Sequence, residues 1–359
     1  MTLSEIQLYS KKLVPVGIIS LLVILILIFG VRLLLLYLEI QSTAPKPTEG
    51  IIAQAPTDQL FGPIQAPVIP NAKSSSSYSY ILDTLDGTPN VENATSAAEI
   101  YFMPQKTASF GFLSKIYAMA KETGIDTTII EHQLQDKTAV FDDGRRKMSI
   151  DIRSFNFSYN YTITDQDNLE PAPSDELESS LISQATSFFS TIDRYPAELS
   201  QGKRNVLYMS LDPTTKQVST LESPSGANMA EVDFYPQDMA GRPVVTSTYY
   251  NSPNYVVFLL GGDSYLPVRA QVSYFEKSVD QIGTYPLRLA DDAWVALQAG
   301  QGMVVSSSAD SGQIKIQKVF LAYYEPDTYQ EYMQPVYVFL GENRFVAYVP
   351  AVSPDVIAQ

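Results

Sequence analysis

The chain has 359 residues, 45% of them hydrophobic, with a formal net charge of −15, one histidine and no cysteine. That length calls for two or three modules, each with enough apolar residues for a core. The negative charge repels phosphate backbones and excludes nucleic acid as an expected partner, while the missing cysteines exclude disulfides, thiolate metal sites, cysteine nucleophiles and a lipoprotein anchor.

From the N-terminus, residues 1–12 are too few to fold and read as a cytoplasmic stub. Residues 13–38 follow as an apolar run, uncharged from Leu13 to Val31. At 1.5 Å per residue that stretch covers roughly 28 Å, about one hydrocarbon core. Lys11 and Lys12 precede it and Glu39 follows, so the positive-inside rule puts the N-terminus in the cytoplasm and the rest outside. The run is about twice as long as the apolar region of a cleaved signal peptide, which makes it a signal anchor. Its one charge, Arg32, is a candidate contact to a partner helix, although snorkelling to the outer interface also accounts for it. A cysteine-free exported chain of this size points to a bacterial cell membrane.

Residues 39–80, with their prolines and the run Ser74–Ser77, read as a disordered tether. Beyond it one pattern recurs three times, a helix and then strands, giving expected modules at 81–165, 173–280 and 281–359. In the first, Phe112, Ile116, Met119 and Ala120 share a helical face, Gly124 stops the helix, and Asp143-Gly144 marks a hairpin turn. In the second, Leu177, Leu181, Ala185 and Phe188 recur at helical spacing. In the third, Ala290, Trp294 and Leu297 form a stripe and Gly300 ends the helix. Strands follow, the last pair a hairpin turning at Gly341-Glu342-Asn343, with Pro335 and Pro350 at its strand ends. The expected fold class is therefore α+β: a single transmembrane helix, a Pro/Ser-rich tether, and repeated modules of one helix packed on antiparallel strands.

The third module, from Tyr285 to Val352, carries YPL, AW, LAYYEP, YMQPVYVF and FVAYVPAV in order. In this it resembles the extracytoplasmic YycH and YycI proteins and PepSY-like modules. The resemblance implies a helix-plus-sheet domain in a single-pass protein that restrains a sensor kinase of the envelope.

Residues fit for chemistry are few. His132 is the sole histidine, with no G-x-S-x-G elbow to accompany it, and reads as a strand residue. Asp142-Asp143 and Asp291-Asp292 are the visible carboxylate pairs, accounted for by a turn and by a helix dipole. Gly261-Gly262-Asp263 lacks the G-K-[ST] of a phosphate loop and reads as a turn. No catalytic residue, metal or cofactor is expected, and no small-molecule substrate. The expected function is a membrane-anchored regulatory or interaction protein of the bacterial envelope. Its partner is an envelope or membrane protein contacted through Arg32 and the hairpin residues Tyr337, Phe339, Phe345 and Tyr348. The alternatives are a cell-wall glycan-binding module using the 23 tyrosines and, behind it, a carboxylate-dependent envelope hydrolase.

Overall fold

The computed structural model describes residues 29–32, 56–84, 87–91, 94–106, 110–171, 177–262 and 264–358. Two compact units divide the chain, Met1–Ala53 and Gln54–Gln359. Of the first, only 29–32 are described, a helical stretch with exposed side chains that include Arg32. The rest of the expected span, the stub and the first part of the tether lie outside the described residues. Among the described residues no helix is long and apolar enough to cross a membrane. The expected single-pass topology and membrane localisation, which rested on hydropathy, are corrected to that statement.

The second unit consists mostly of strands. It opens with β1 (Lys73–Ser74), β2 (Tyr78–Leu82) and β3 (Ala97–Phe102). Helix α1 (Phe112–Glu122) precedes β4 (Gln133–Gln135), β5 (Thr138–Asp142), β6 (Arg146–Asp151) and β7 (Phe157–Tyr161). Helices α2 (Leu177–Thr191) and α3 (Ala197–Ser200) lead into β8 (Arg204–Leu211), β9 (Val218–Leu221) and β10 (Met229–Phe234). Then come β11 (Val244–Val245), β12 (Tyr255–Gly261), β13 (Ser264–Val272) and β14 (Ile282–Pro286). Helix α4 (Ala290–Ala296) and strands β15 (Met303–Ser306), β16 (Gly312–Tyr324), β17 (Tyr332–Gly341) and β18 (Val346–Pro350) complete the unit.

These strands form two nine-stranded sheets in place of three modules. The first runs β1-β15-β18-β17-β16-β11, with β2 also on β16, β3 on β17 and β14 on β3. The second runs β4-β5-β6-β7-β13-β12-β10-β8-β9. Pairing is antiparallel except where β2 and β11 lie parallel to opposite ends of β16. The first two expected modules merge because β7 pairs with β13, Phe157 opposite Val272, and α1 and α2 share one core. The α+β expectation thus gives way to a mostly β fold. Alternation of apolar and polar residues marks a strand but does not name its neighbour.

Locally the sequence explains the elements well. α1 buries Ile116, Met119 and Ala120, and Gly124, at φ +84°, takes the left-handed position after it. α2 buries Leu177, Leu181, Ala185 and Phe189, with Phe188 half-buried beside them. The β5–β6 hairpin turns at Asp143-Gly144: Asp142 Oδ1 accepts from Gly144 N–H at 2.9 Å, and Gly144 has φ +86°. The latter part of the expected tether is corrected outright. Ile64 and Ile69 are buried, and β2 pairs along β16 with Tyr78 and Tyr80 turned inward. Alternation in Tyr78–Leu82 is what the serine run before it obscured.

The first sheet is covered on both faces. Ala293, Ala296 and Leu297 pack with Tyr337, Phe339, Phe345, Ala347 and Val349 on one side. Val336, Val338, Val346, Tyr348 and Tyr324 form a second cluster. The chain passes between the sheets four times, after β3, β10, β11 and β13, and these passages create a seam.

Candidate functional site

A cleft of about 230 Å³ opens at this seam. The second sheet contributes the β6–β7 turn, from Asp151 to Asn156, then Arg194 just after α2, and Tyr274–Glu276 at the exit of β13. The first sheet contributes Pro104–Lys106 after β3 and Asp327–Tyr329 in the β16–β17 loop. A groove of about 900 Å³ along β16 is larger. The seam cleft is the stronger candidate because buried polar groups and two aromatic rings converge on it, whereas size alone specifies no ligand.

Its structural centre is Arg194, 9% exposed. Helix α2 ends with Asp193 in the left-handed region at φ +58°, which turns the following side chain beneath the sheet. Arg194 Nη2 donates to Asn156 Oδ1 at 2.7 Å and to the Tyr274 carbonyl at 2.8 Å. Asn156 Oδ1 also accepts from Tyr274 N–H at 3.0 Å, so one amide fixes both the guanidinium and the strand exit. Nε is buried without a partner, and among the described residues Arg194 forms no ion pair. Burial pulls its pKa below the usual arginine value, and the charges of Glu276, Tyr274, Asp193 and Glu325 oppose that shift.

The remaining charges of the cleft are largely committed. Asp151 Oδ1 accepts from the backbone N–H groups of Arg153 and Ser154 and so shapes the turn. Lys106 pairs with Glu276 at 2.7 Å. Arg153 Nη1 donates to Gln105 Oε1 at 2.8 Å and has no acidic partner among the described residues. Asp327 accepts from the Ser247 hydroxyl while its Oδ1 has no partner, and burial raises its pKa against that hydrogen bond. The rings of Phe275 and Tyr329 meet edge to face at 5.8 Å, and the Tyr329 hydroxyl donates to the Met103 carbonyl at 2.8 Å. Behind the cleft, Lys277 and Glu325 form an ion pair with 6% and 2% side-chain exposure.

The residues expected to touch a partner lie elsewhere. Tyr337, Phe339, Phe345 and Tyr348 are 0–3% exposed, and they are corrected from contact surface to core, because a hairpin covered on both faces has no side left for a partner. Arg32 is exposed and lies in the other unit. Among the described tyrosines only Tyr250 and Tyr329 are exposed, so they form no contiguous aromatic platform for a glycan. His132 precedes β4 and sits against the Tyr117 hydroxyl at 3.1 Å. Asp143 holds its turn through two backbone N–H groups and Arg146, and Asp291 and Asp292 occupy the first turn of α4.

One carboxylate pair escaped the sequence reading. Glu231 and Asp233 lie two apart on β10, on one face of the second sheet, flanked by Asn205 on β8 and Tyr255 on β12. Burial, then the charge of Asp233, raises the Glu231 pKa to about 7. Neither carboxylate lines the seam cleft, and they contact each other. Glycosidic acid–base pairs instead stand about 5–10 Å apart across a substrate site.

The sequence reading also missed Arg194, Arg153 and Asp327. A basic residue ending α2 reads at sequence level as a partner of the helix dipole, and nothing local shows that strands from two sheets will enclose it.

No family model matches the chain, and no curated protein matches it. Among solved structures it is similar to a crystal structure of an uncharacterized protein from Eubacterium rectale ATCC 33656. The identity is 13% and the TM-score 0.34, over 77% of this chain and 89% of that one. At so low a TM-score the likeness carries no argument.

Proposed function

We propose that the protein acts by recognition rather than catalysis, holding a group of a partner in the seam cleft. The observation that carries this reading is Arg194, a buried guanidinium beside an open cavity. It has hydrogen-bonding capacity to spare and no ion-pair partner among the described residues. The surrounding side chains supply positioned donors, acceptors and two aromatic walls. The one hydroxyl on a carboxylate, Ser154 Oγ donating to Asp151 Oδ1 at 2.8 Å, shares that oxygen with two backbone N–H groups and so reads as part of the turn. The reading also extends the regulatory, interaction role implied by the likeness of Tyr285–Val352 to YycH and YycI, since the Asp327–Tyr329 wall belongs to that segment.

The test is co-purification of the tagged full-length chain from its native cells, wild type against Arg153→Glu and Tyr329→Ala. Both side chains line the cleft, and neither belongs to a buried hydrophobic cluster. Loss of the same partner from both variants, with unchanged circular dichroism, supports the reading. Retention of every wild-type partner by both variants refutes it.

A further inference from the structure

Resting on that reading, we infer that the group recognised in the seam cleft is a carboxylate, seated on the free side of the Arg194 guanidinium. A guanidinium carries five N–H donors. Arg194 spends two of them, both on Nη2, to Asn156 and to the Tyr274 carbonyl. That leaves the Nη1 hydrogens for a group in the cleft, since Nε is unpartnered but enclosed by protein.

A buried charge is costly unless it is paired, and Arg194 has no counter-ion among the described residues. The acidic groups around it are engaged elsewhere: Glu276 by Lys106, Asp193 by Lys115, Glu325 by Lys277, Asp151 by its own turn, and Asp327 by the Ser247 hydroxyl through one of its two oxygens. An anion arriving from outside would supply the missing partner, with Arg153 placed to face it at the mouth.

The cleft favours a carboxylate over a phosphate. Asp151, Glu276 and Asp327 line the same cavity and would repel a dianion, while a monoanionic group accepts a charge-assisted hydrogen bond from Nη1 and adds only one charge. The aromatic pair Phe275 and Tyr329 leaves room for a short apolar stem behind that group. Such a carboxylate could belong to a free small acid or to an acidic residue of a partner protein.

The full-length protein, titrated by calorimetry, separates these cases. The probes are butyrate, inorganic phosphate, and the blocked tripeptides Gly-Asp-Gly and Gly-Asn-Gly. Butyrate or the Asp peptide should bind, with phosphate and the Asn peptide at least about tenfold weaker. Butyrate binding without the Asp peptide assigns a free acid, and the reverse assigns a protein residue.

Arg194→Lys should weaken the carboxylate probe about tenfold, because one ammonium lacks the separate nitrogens that let the guanidinium hold Asn156 and the Tyr274 carbonyl and still face the cleft. Should that variant misfold, Arg153→Met, whose guanidinium donates to Gln105 Oε1, should still weaken it about threefold. The inference is overturned if these variants bind as tightly as wild type, if phosphate binds best, or if neither carboxylate probe binds by about 50 mM. Binding of the Asn peptide at equal affinity, lost in Tyr329→Ala, would leave the cleft as a recognition site and remove the carboxylate alone.

Discussion

Replacing Lys277 by Met should be among the most damaging single changes outside the two hydrophobic cores. Lys277 leaves β13 on the second sheet, and Glu325 ends β16 on the first, so their ion pair bridges the seam. With side chains 6% and 2% exposed, neither charge has water to fall back on. Removing the lysine leaves the Glu325 carboxylate accepting from the Phe275 N–H at 3.3 Å. It also removes the ammonium 4.1 Å from the Tyr274 ring. An uncompensated buried carboxylate costs about 3–5 kcal/mol. The assay is urea denaturation of the full chain, followed by circular dichroism and by fluorescence of the sole tryptophan. The partner change Glu325→Gln removes the stranded charge, so the double variant should recover about half of the loss or more. A loss below about 1 kcal/mol for Lys277→Met, or a double variant no better than the single, would refute the argument that the pair is desolvated.

Phe339→Ala should cost about 3–5 kcal/mol in the same denaturation assay, because the ring is fully buried, while half-buried Trp294→Ala should cost less; equal losses would contradict the burial described. The raised Glu231 pKa makes its protonated form the one the fold prefers. Its contribution is therefore fully present below the unfolded carboxyl value and is lost as pH rises from there towards 7. Glu231→Gln should flatten that decline by about 1–2 kcal/mol between pH 5 and 8, allowing for partial exposure, and a variant with the same pH profile as wild type would refute it.

Much of the local structure was legible in the sequence. The α1 face was readable from Ile116, Met119 and Ala120, and the Asp143-Gly144 hairpin from its turn chemistry, since both depend on residues close together in the chain. The α2 stripe was read one residue early, at Phe188 rather than Phe189, because both rings touch the core and only tertiary packing decides which is enclosed. Sheet membership was not legible: β7 and β13 look alike as strands whether or not they pair. The site follows from sheet membership, since Arg194, Asn156, Tyr274 and Asp327 meet only once both sheets exist. The same limit explains why the Tyr337–Tyr348 aromatics looked like a surface. Tyrosine and phenylalanine suit a strand equally well when one face is open and when neither is.

The pairing of β2 with β16 also sets a schedule for the ribosome. Tyr78 finds its partner Gly312 more than two hundred residues later, a gap that takes roughly 10–50 s to synthesise. Until β14 and β15 emerge, β1, β2 and β3 all wait with unpaired edges, while the second sheet can begin to assemble. β14 can then close on β3 before the last hairpin is made. A premature stop within β16 or β17 would therefore leave both ends of the first sheet without a template, and such truncated chains are expected to be recovered in chaperone-bound or aggregated fractions rather than as a folded half.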